Sequence, residues 1–162
     1  MYVSPFILSL YKVRCLLQRV SQASVSIARV QKAAIAGGLL LFAGIHKNDT
    51  EADIRFIAGK VAKLRIFGDA AGKMNFSLGE VGGEILIVSQ FTLHAAYEKG
   101  TRPSFLEAAP PPVAIPLYEM FISLLEEAFP GRIQTGTFGA DMQVALVNDG
   151  PVTLMLDSTT RT

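Results

Sequence analysis

The sequence predicts a mixed α/β domain, rich in β-strand and carrying two main helices. Three observations predict it. A length of 162 residues suits one domain. Hydrophobic residues make up 50% and charged residues 18%, which excludes a disordered chain. Short apolar or alternating runs, seven or eight in number, lie between turn residues, and only two stretches repeat apolar residues at helical spacing.

The elements follow in order. Residues 13–20 (VRCLLQRV) read as the first strand. Residues 23–30 alternate Val25 and Ile27 with Ser24 and Ser26, the pattern of a half-buried strand. Residues 39–45, after Gly37 and Gly38, form a continuous apolar run and read as a buried strand. A helix comes next. Asp49 or Thr50 caps it, and Glu51 and Asp53 complement the positive end of its dipole. Ile54, Ile57, Ala58, Val61 and Leu64 recur at helical spacing, and Lys60, Lys63 and Arg65 lie at its C-terminal end. Residues 65–67 are a short strand, followed by the turn-rich residues 68–72. Residues 84–91 (EILIVSQF) form a strong β-branched strand. Residues 94–112 read as a loop closed by three prolines. The second helix is expected from about 113 to 128, with Tyr118, Phe121 and Leu125 on its apolar face and Pro130-Gly131 as its stop. Strands are expected at 132–135, 142–147 and 152–156, with Asn148-Asp149-Gly150-Pro151 as a sharp turn between the last two.

Composition also excludes functions. A net charge of +1 gives no argument for wrapping long nucleic acid, which calls for a basic face, and leaves room for contact with one RNA end. So few charges leave apolar surface for a second subunit to cover. The single cysteine, Cys15, cannot form an internal disulfide, which fits a reducing compartment or a core position. The longest apolar stretch, residues 33–45, contains three glycines and falls short of the roughly 20 residues a spanning helix needs. Near the N-terminus an apolar patch from Phe6 to Leu10 has no basic residue before it and follows Pro5, unlike a signal peptide. The expectation is a soluble, cytoplasmic protein with no membrane contact. No nucleophile elbow, zinc motif or dinucleotide fingerprint is present, and His46 and His94 stand far apart in the chain. Gly68–Lys73 is one residue short of a phosphate loop and is followed by Met74, so it reads as a solvated hairpin turn. No metal and no cofactor are expected.

Two strings remain. Ser89-Gln90-Phe91-Thr92-Leu93 places two hydroxyls and an amide where a strong strand meets a loop, a common position for binding groups. From chemistry alone, a strand end that satisfies its own backbone is the favoured reading. In Asn148-Asp149-Gly150-Pro151-Val152-Thr153, proline cannot donate to a ladder, and the X-Pro bond is open to the cis form. An ordinary hairpin turn explains this string when it stands alone.

Together with Gln18-Arg19-Val20, Leu64-Arg65-Ile66-Phe67, Lys99-Gly100, Arg102-Pro103-Ser104-Phe105 and Phe138-Gly139-Ala140-Asp141-Met142-Gln143-Val144, these strings resemble the D-aminoacyl-tRNA deacylases. The resemblance covers residues 13–158, leaving 1–12 as an extension, or a mis-assigned start, and 159–162 as a tail. It implies a barrel-like, homodimeric editing hydrolase that cleaves D-amino acids, and glycine, from the terminal adenosine of tRNA. It assigns the catalytic site to Ser89, Gln90, Phe91 and Thr92, and substrate contacts to Leu93, Phe138 and Met142. It also makes Gly150 and Pro151 a Gly-cis-Pro pair that reaches across the dimer, steadied by Arg19. The implied partners are the tRNA acceptor end and a second copy, not DNA.

Such a task suits main chain. A selector of handedness that accepts any side chain must read the groups around Cα, and fixed carbonyls can do so. Backbone amides near Phe91 and Thr92 are candidate oxyanion donors, and the vicinal hydroxyl of the adenosine can assist water. Thr92 as nucleophile is the alternative, although no partner close in sequence supplies a base. Lys99 and Arg102 are the candidate RNA contacts. His94-Ala95-Ala96 departs from the family pattern, which carries an aspartate there. A non-catalytic module for tRNA ends and a structural dimerisation domain remain competing readings. An editing domain of archaeal threonyl-tRNA synthetase has a related fold, but no synthetase is attached to this chain.

Overall fold

The structure, a computed structural model, describes residues 13–160. The readings placed on residues 1–12, 161 and 162 lie outside the described residues. In chain order the elements are β1 (Arg14–Ile27), β2 (Val30–Ile35), β3 (Gly38–Gly44), α1 (Glu51–Lys63), β4 (Arg65–Gly68), β5 (Met74–Ser77), α2 (Leu78–Val81), β6 (Glu84–Ser89), α3 (Pro111–Ala128), β7 (Ile133–Thr135) and β8 (Gln143–Asp157).

The main sheet runs β2-β1-β3-β6-β7, with β8 also on β1. β8 follows β1 along one edge, while β3 and then β2 share the other. The β3–β6 and β6–β7 pairs are parallel and the rest antiparallel, so the sheet is mixed. Because β2 also lies against β6 and β7, the sheet curls into a nearly closed, barrel-like form.

Two cores explain the apolar runs. Leu39, Leu41, Ile85 and Ile87 pack beneath α1 and α3, against Ile57, Val61, Phe121 and Leu125. Leu40, Leu86 and Val88 point the other way, into a cluster with Val20, Val25 and Ile35. With both faces covered, β3 and β6 are apolar throughout rather than alternating. Cys15 belongs to the first core, and burial pushes its thiol up to about 12.

Several expectations change. The runs at 13–20 and 23–30 do not form two strands: they join in β1, which ends at Ile27. The true break is Ala28-Arg29, both at positive φ (49° and 66°), the two-residue geometry that suits a twisted hairpin. It leads to β2, which the sequence does not announce because only Ala33 and Ile35 are buried in it. β5 and α2 are likewise additions. α2 opens on a capping box, with the Glu80 carboxylate accepting from the Ser77 amide and hydroxyl. β6 stops at Ser89, two residues early, and α3 starts at Pro111, two residues before Val113. A missing N–H does no harm in a first helical turn. The Gly68–Lys73 string is a hairpin loop between β4 and β5. The Asp69 carboxylate accepts from the Ala71 and Lys73 amides and from Asn75 Nδ2, and these bonds hold its pKa below the ordinary value.

The largest correction concerns residues 142–156. They are not two strands around a hairpin turn. Both flanks pair with β1, from Ser26↔Gln143 to Val20↔Asn148 and from Gln18↔Thr153 to Arg14↔Asp157. Residues 149–152 therefore bulge out of one continuous strand opposite Arg19.

Candidate functional site

The site begins where β6 ends. The Gln90 amide still donates to the Ala43 carbonyl (2.8 Å), and then the chain tightens into a 3-10 turn, Phe91–His94. The Leu93 amide closes the turn on the Gln90 carbonyl (3.3 Å), and Ala95 donates to Thr92 (3.1 Å). Phe91 and Thr92 head the turn, where helical geometry supplies their amides with no acceptor. Gln90 Nε2 donates to Thr92 Oγ1. From below, Arg14 Nη1 donates to the Leu93 carbonyl (2.8 Å) while its Nε lies 3.6 Å from Asp157.

A pocket of about 290 Å³ opens beside this turn. Ser89, Gln90 and Phe91 line it on one segment and Phe138, Asp141 and Met142 on another; Ala43, Val88 and Val144 also line it. Five of the sequence candidates thus meet: Ser89, Gln90, Phe91, Phe138 and Met142. Thr92 and Leu93 continue the turn but do not line the cavity. Phe91 is 56% exposed and meets Phe105 edge-on at 5.1 Å. Phe138 leans on Tyr118 at 5.6 Å. Met142 seats its sulfur against Gly136, where an added Cβ would come within 2.5 Å of it. Asp141 is the acid on the pocket lining, and the sequence offered it only as one member of the Phe138–Val144 string. Ala109 and Ala114, also on the lining, carried no sequence signal.

The second string lies elsewhere. Gly150 and Pro151 are exposed, and neither they nor Arg19 line the pocket of their own chain. The Gly150–Pro151 bond is cis. Arg19 braces the bulge: its Nε donates to the Asp149 carbonyl (2.8 Å) and its Nη1 to the Ile66 carbonyl (2.6 Å), with the Asp149 carboxylate 3.7 Å away. Asn148 completes the brace, accepting from the Val152 amide (2.9 Å) and donating to Thr153 Oγ1 (2.8 Å). Lys99 and Arg102 stand exposed on a loop pinched shut by two 2.8 Å bonds between Ala96 and Ser104.

Among the described residues no group of three or more His, Cys, Asp or Glu is placed to hold a metal ion, and no helix is long and apolar enough to cross a membrane.

The family model and the curated relatives point to one family. The family described as "D-Tyr-tRNA(Tyr) deacylase" matches residues 16–157. A D-aminoacyl-tRNA deacylase of Akkermansia muciniphila is 56% identical over 148 residues, covering 91% of this chain and 99% of that protein. One of Cytophaga hutchinsonii is 58% identical over 142 residues, covering 88% and 95%. A solved structure named "c-Myc DNA Unwinding Element Binding Protein" superposes with a TM-score of 0.84 at 39% identity, covering 89% of this chain and 97% of that one. The chain belongs to the D-Tyr-tRNA(Tyr) deacylase family.

Proposed function

We propose that this chain hydrolyses the ester between a D-amino acid and the terminal adenosine of tRNA, and also clears glycine mischarged on alanine tRNA, acting in the cytoplasm as a homodimer. One observation carries the reading: the two motif strings are separated within the chain. Ser89, Gln90 and Phe91 line a pocket, while Gly150 and Pro151 project from a braced bulge outside it. A second copy can bring that bulge to the pocket. β8, which bears it, also exposes Val147 (47%) and Met155 (51%), apolar surface that a partner would cover.

In this reading the bulge carbonyls receive the substrate amine and leave no space for an L side chain. The pocket wall from Ser89 to Phe91 holds the ester, and the Phe91 and Thr92 amides donate to the developing oxyanion. The ester is already activated and the neighbouring 2′-hydroxyl can position water, so no side-chain base is required. Gln90 occupies a lone pair of the Thr92 hydroxyl, which argues for a positioning role for Thr92 rather than a nucleophilic one. Lys99 and Arg102 are the phosphate contacts. The solved relative named for binding a DNA element raises the question of DNA, but a net charge of +1 provides no broad phosphate-binding face.

Incubation with matched D- and L-tyrosyl-tRNA tests this. Loss of the D-ester alone is expected, at the same rate with chelator present. Equal loss of both esters, or binding without turnover, would overturn the reading.

A further inference from the structure

We infer that His94 and His46 are positioning residues, which seat the Gln90–His94 turn only while both rings are neutral and so make turnover sensitive to acid. This rests on the proposed activity for its rate readout only.

His94 is the last residue of the 3-10 turn that carries the proposed oxyanion donors, and it is only 5% exposed. Its Nε2 is buried without a hydrogen-bond partner. The fully buried His46 ring meets it edge-on, with centroids 5.5 Å apart. His46 Nδ1 accepts from the Asn48 amide (3.1 Å), so the neutral ring carries its proton on Nε2, facing Glu107 Oε2 at 3.1 Å. Glu107 also accepts from Lys47 Nζ (2.8 Å), and its carbonyl accepts from the Lys47 amide (3.1 Å). The far end of the loop that follows the turn is thereby tied to the connection between β3 and α1.

The surrounding charges come from every neighbouring element. Arg14 comes from β1 and Asp157 from β8. Lys47 and Asp49 come from the β3–α1 connection, where Asp49 accepts from the His46 amide at 2.6 Å. Burial is the main reason both rings sit below the ordinary 6.5. For His94 the Gly44 backbone pulls the value up, His46 and Arg14 push it down, and Asp157 pulls it up. For His46 Glu107 pulls up while Lys47 and Arg14 push down. A proton on His94 finds no acceptor at Nε2 and stands beside a second ring that resists charge too. The sign follows from linkage. Below pH 6.5 the unfolded chain takes up protons that the folded turn refuses, so the turn's stability is full above that pH and is lost as pH falls toward the lower folded values.

Two measurements test this. In the first, kcat/KM for D-tyrosyl-tRNA is compared between His94→Gln and the unaltered protein from about pH 8 to about pH 5; titration of the substrate amine cancels in the ratio. The ratio is expected to rise severalfold as pH falls. A ratio independent of pH would overturn the inference. The second follows the His94 ring protons and the Phe91, Thr92 and Leu93 amides of the unaltered protein by NMR. They are expected to move together, with one midpoint below 6.5. Amides that stay still while the ring titrates would overturn the inference even if the chain hydrolyses nothing or the variant fails to fold, which separates this failure from failure of the proposed function.

Discussion

Replacement of Gly150 by alanine is expected to lower kcat/KM for D-aminoacyl-tRNA about 100-fold while leaving the fold intact. Gly150 sits at φ +145°, where an L side chain is strained at a cost of about 1–3 kcal/mol. The new Cβ would also lie 2.9 Å from the Val152 backbone nitrogen, 2.8 Å from Val152 Cγ2 and 3.2 Å from Arg19 Nη2. The backbone nitrogen cannot yield as a flexible side chain can, so the bulge must shift. An ångström of misplacement at a reacting centre can cost on the order of 100-fold in rate. At about 2–4 °C per kcal/mol for a domain of this size, the melting temperature should fall by about 2–12 °C. Steady-state kinetics beside a thermal melt separate the two effects, and unchanged kinetics would remove the bulge from the site.

Gly44→Ala is expected to damage the other half of the site to a similar degree. Gly44 lies in β3 directly beneath the 3-10 turn. A Cβ there would come within 2.8 Å of the Gln90 carbonyl, 3.1 Å of Leu93 Cβ and 3.3 Å of His94 Cδ2. The nearest atom is again backbone, so the Gln90–His94 turn must lift. The Phe91 and Thr92 amides would move with it, and loss of one oxyanion donor alone is worth about 100-fold or more in kcat. Overpacking of this kind also costs about 1–3 kcal/mol of stability. A normal rate in a folded Gly44→Ala protein would separate the turn from catalysis.

How far the sequence reveals this molecule depends on whether local or distant partners decide each segment. β3, β6 and α1 are legible because two covered sheet faces demand unbroken apolar runs and because the helix carries its own caps, with Asp53 accepting from the Thr50 amide and hydroxyl. The hairpin at Ala28-Arg29 is hidden because it uses positive φ without glycine, asparagine or aspartate. Residues 148–151 mislead for a different reason. Their local chemistry is that of a turn, and only pairing of both flanks with β1 shows a bulge in one strand. At the site, the Ser89–Phe91 and Phe138–Met142 segments are legible as strings, and the fold brings them to one pocket. Asp141 and the support from Arg14 to Leu93 depend on three-dimensional placement and carry no spacing signal.

Handedness read by a loop from the other protomer is the core of the account, and the two glycine variants test it directly when mixed. If the sites are shared across a two-fold axis, a mixed dimer of Gly150→Ala and Gly44→Ala contains one site with a sound turn and a sound bulge. Co-refolding the two impaired proteins should then restore about a quarter of the normal D-aminoacyl-tRNA deacylation, since half of random dimers are mixed and each carries one good site. If the bulge served its own chain, every site would remain impaired; mixing that restores nothing, with heterodimers confirmed by mass, would contradict the account.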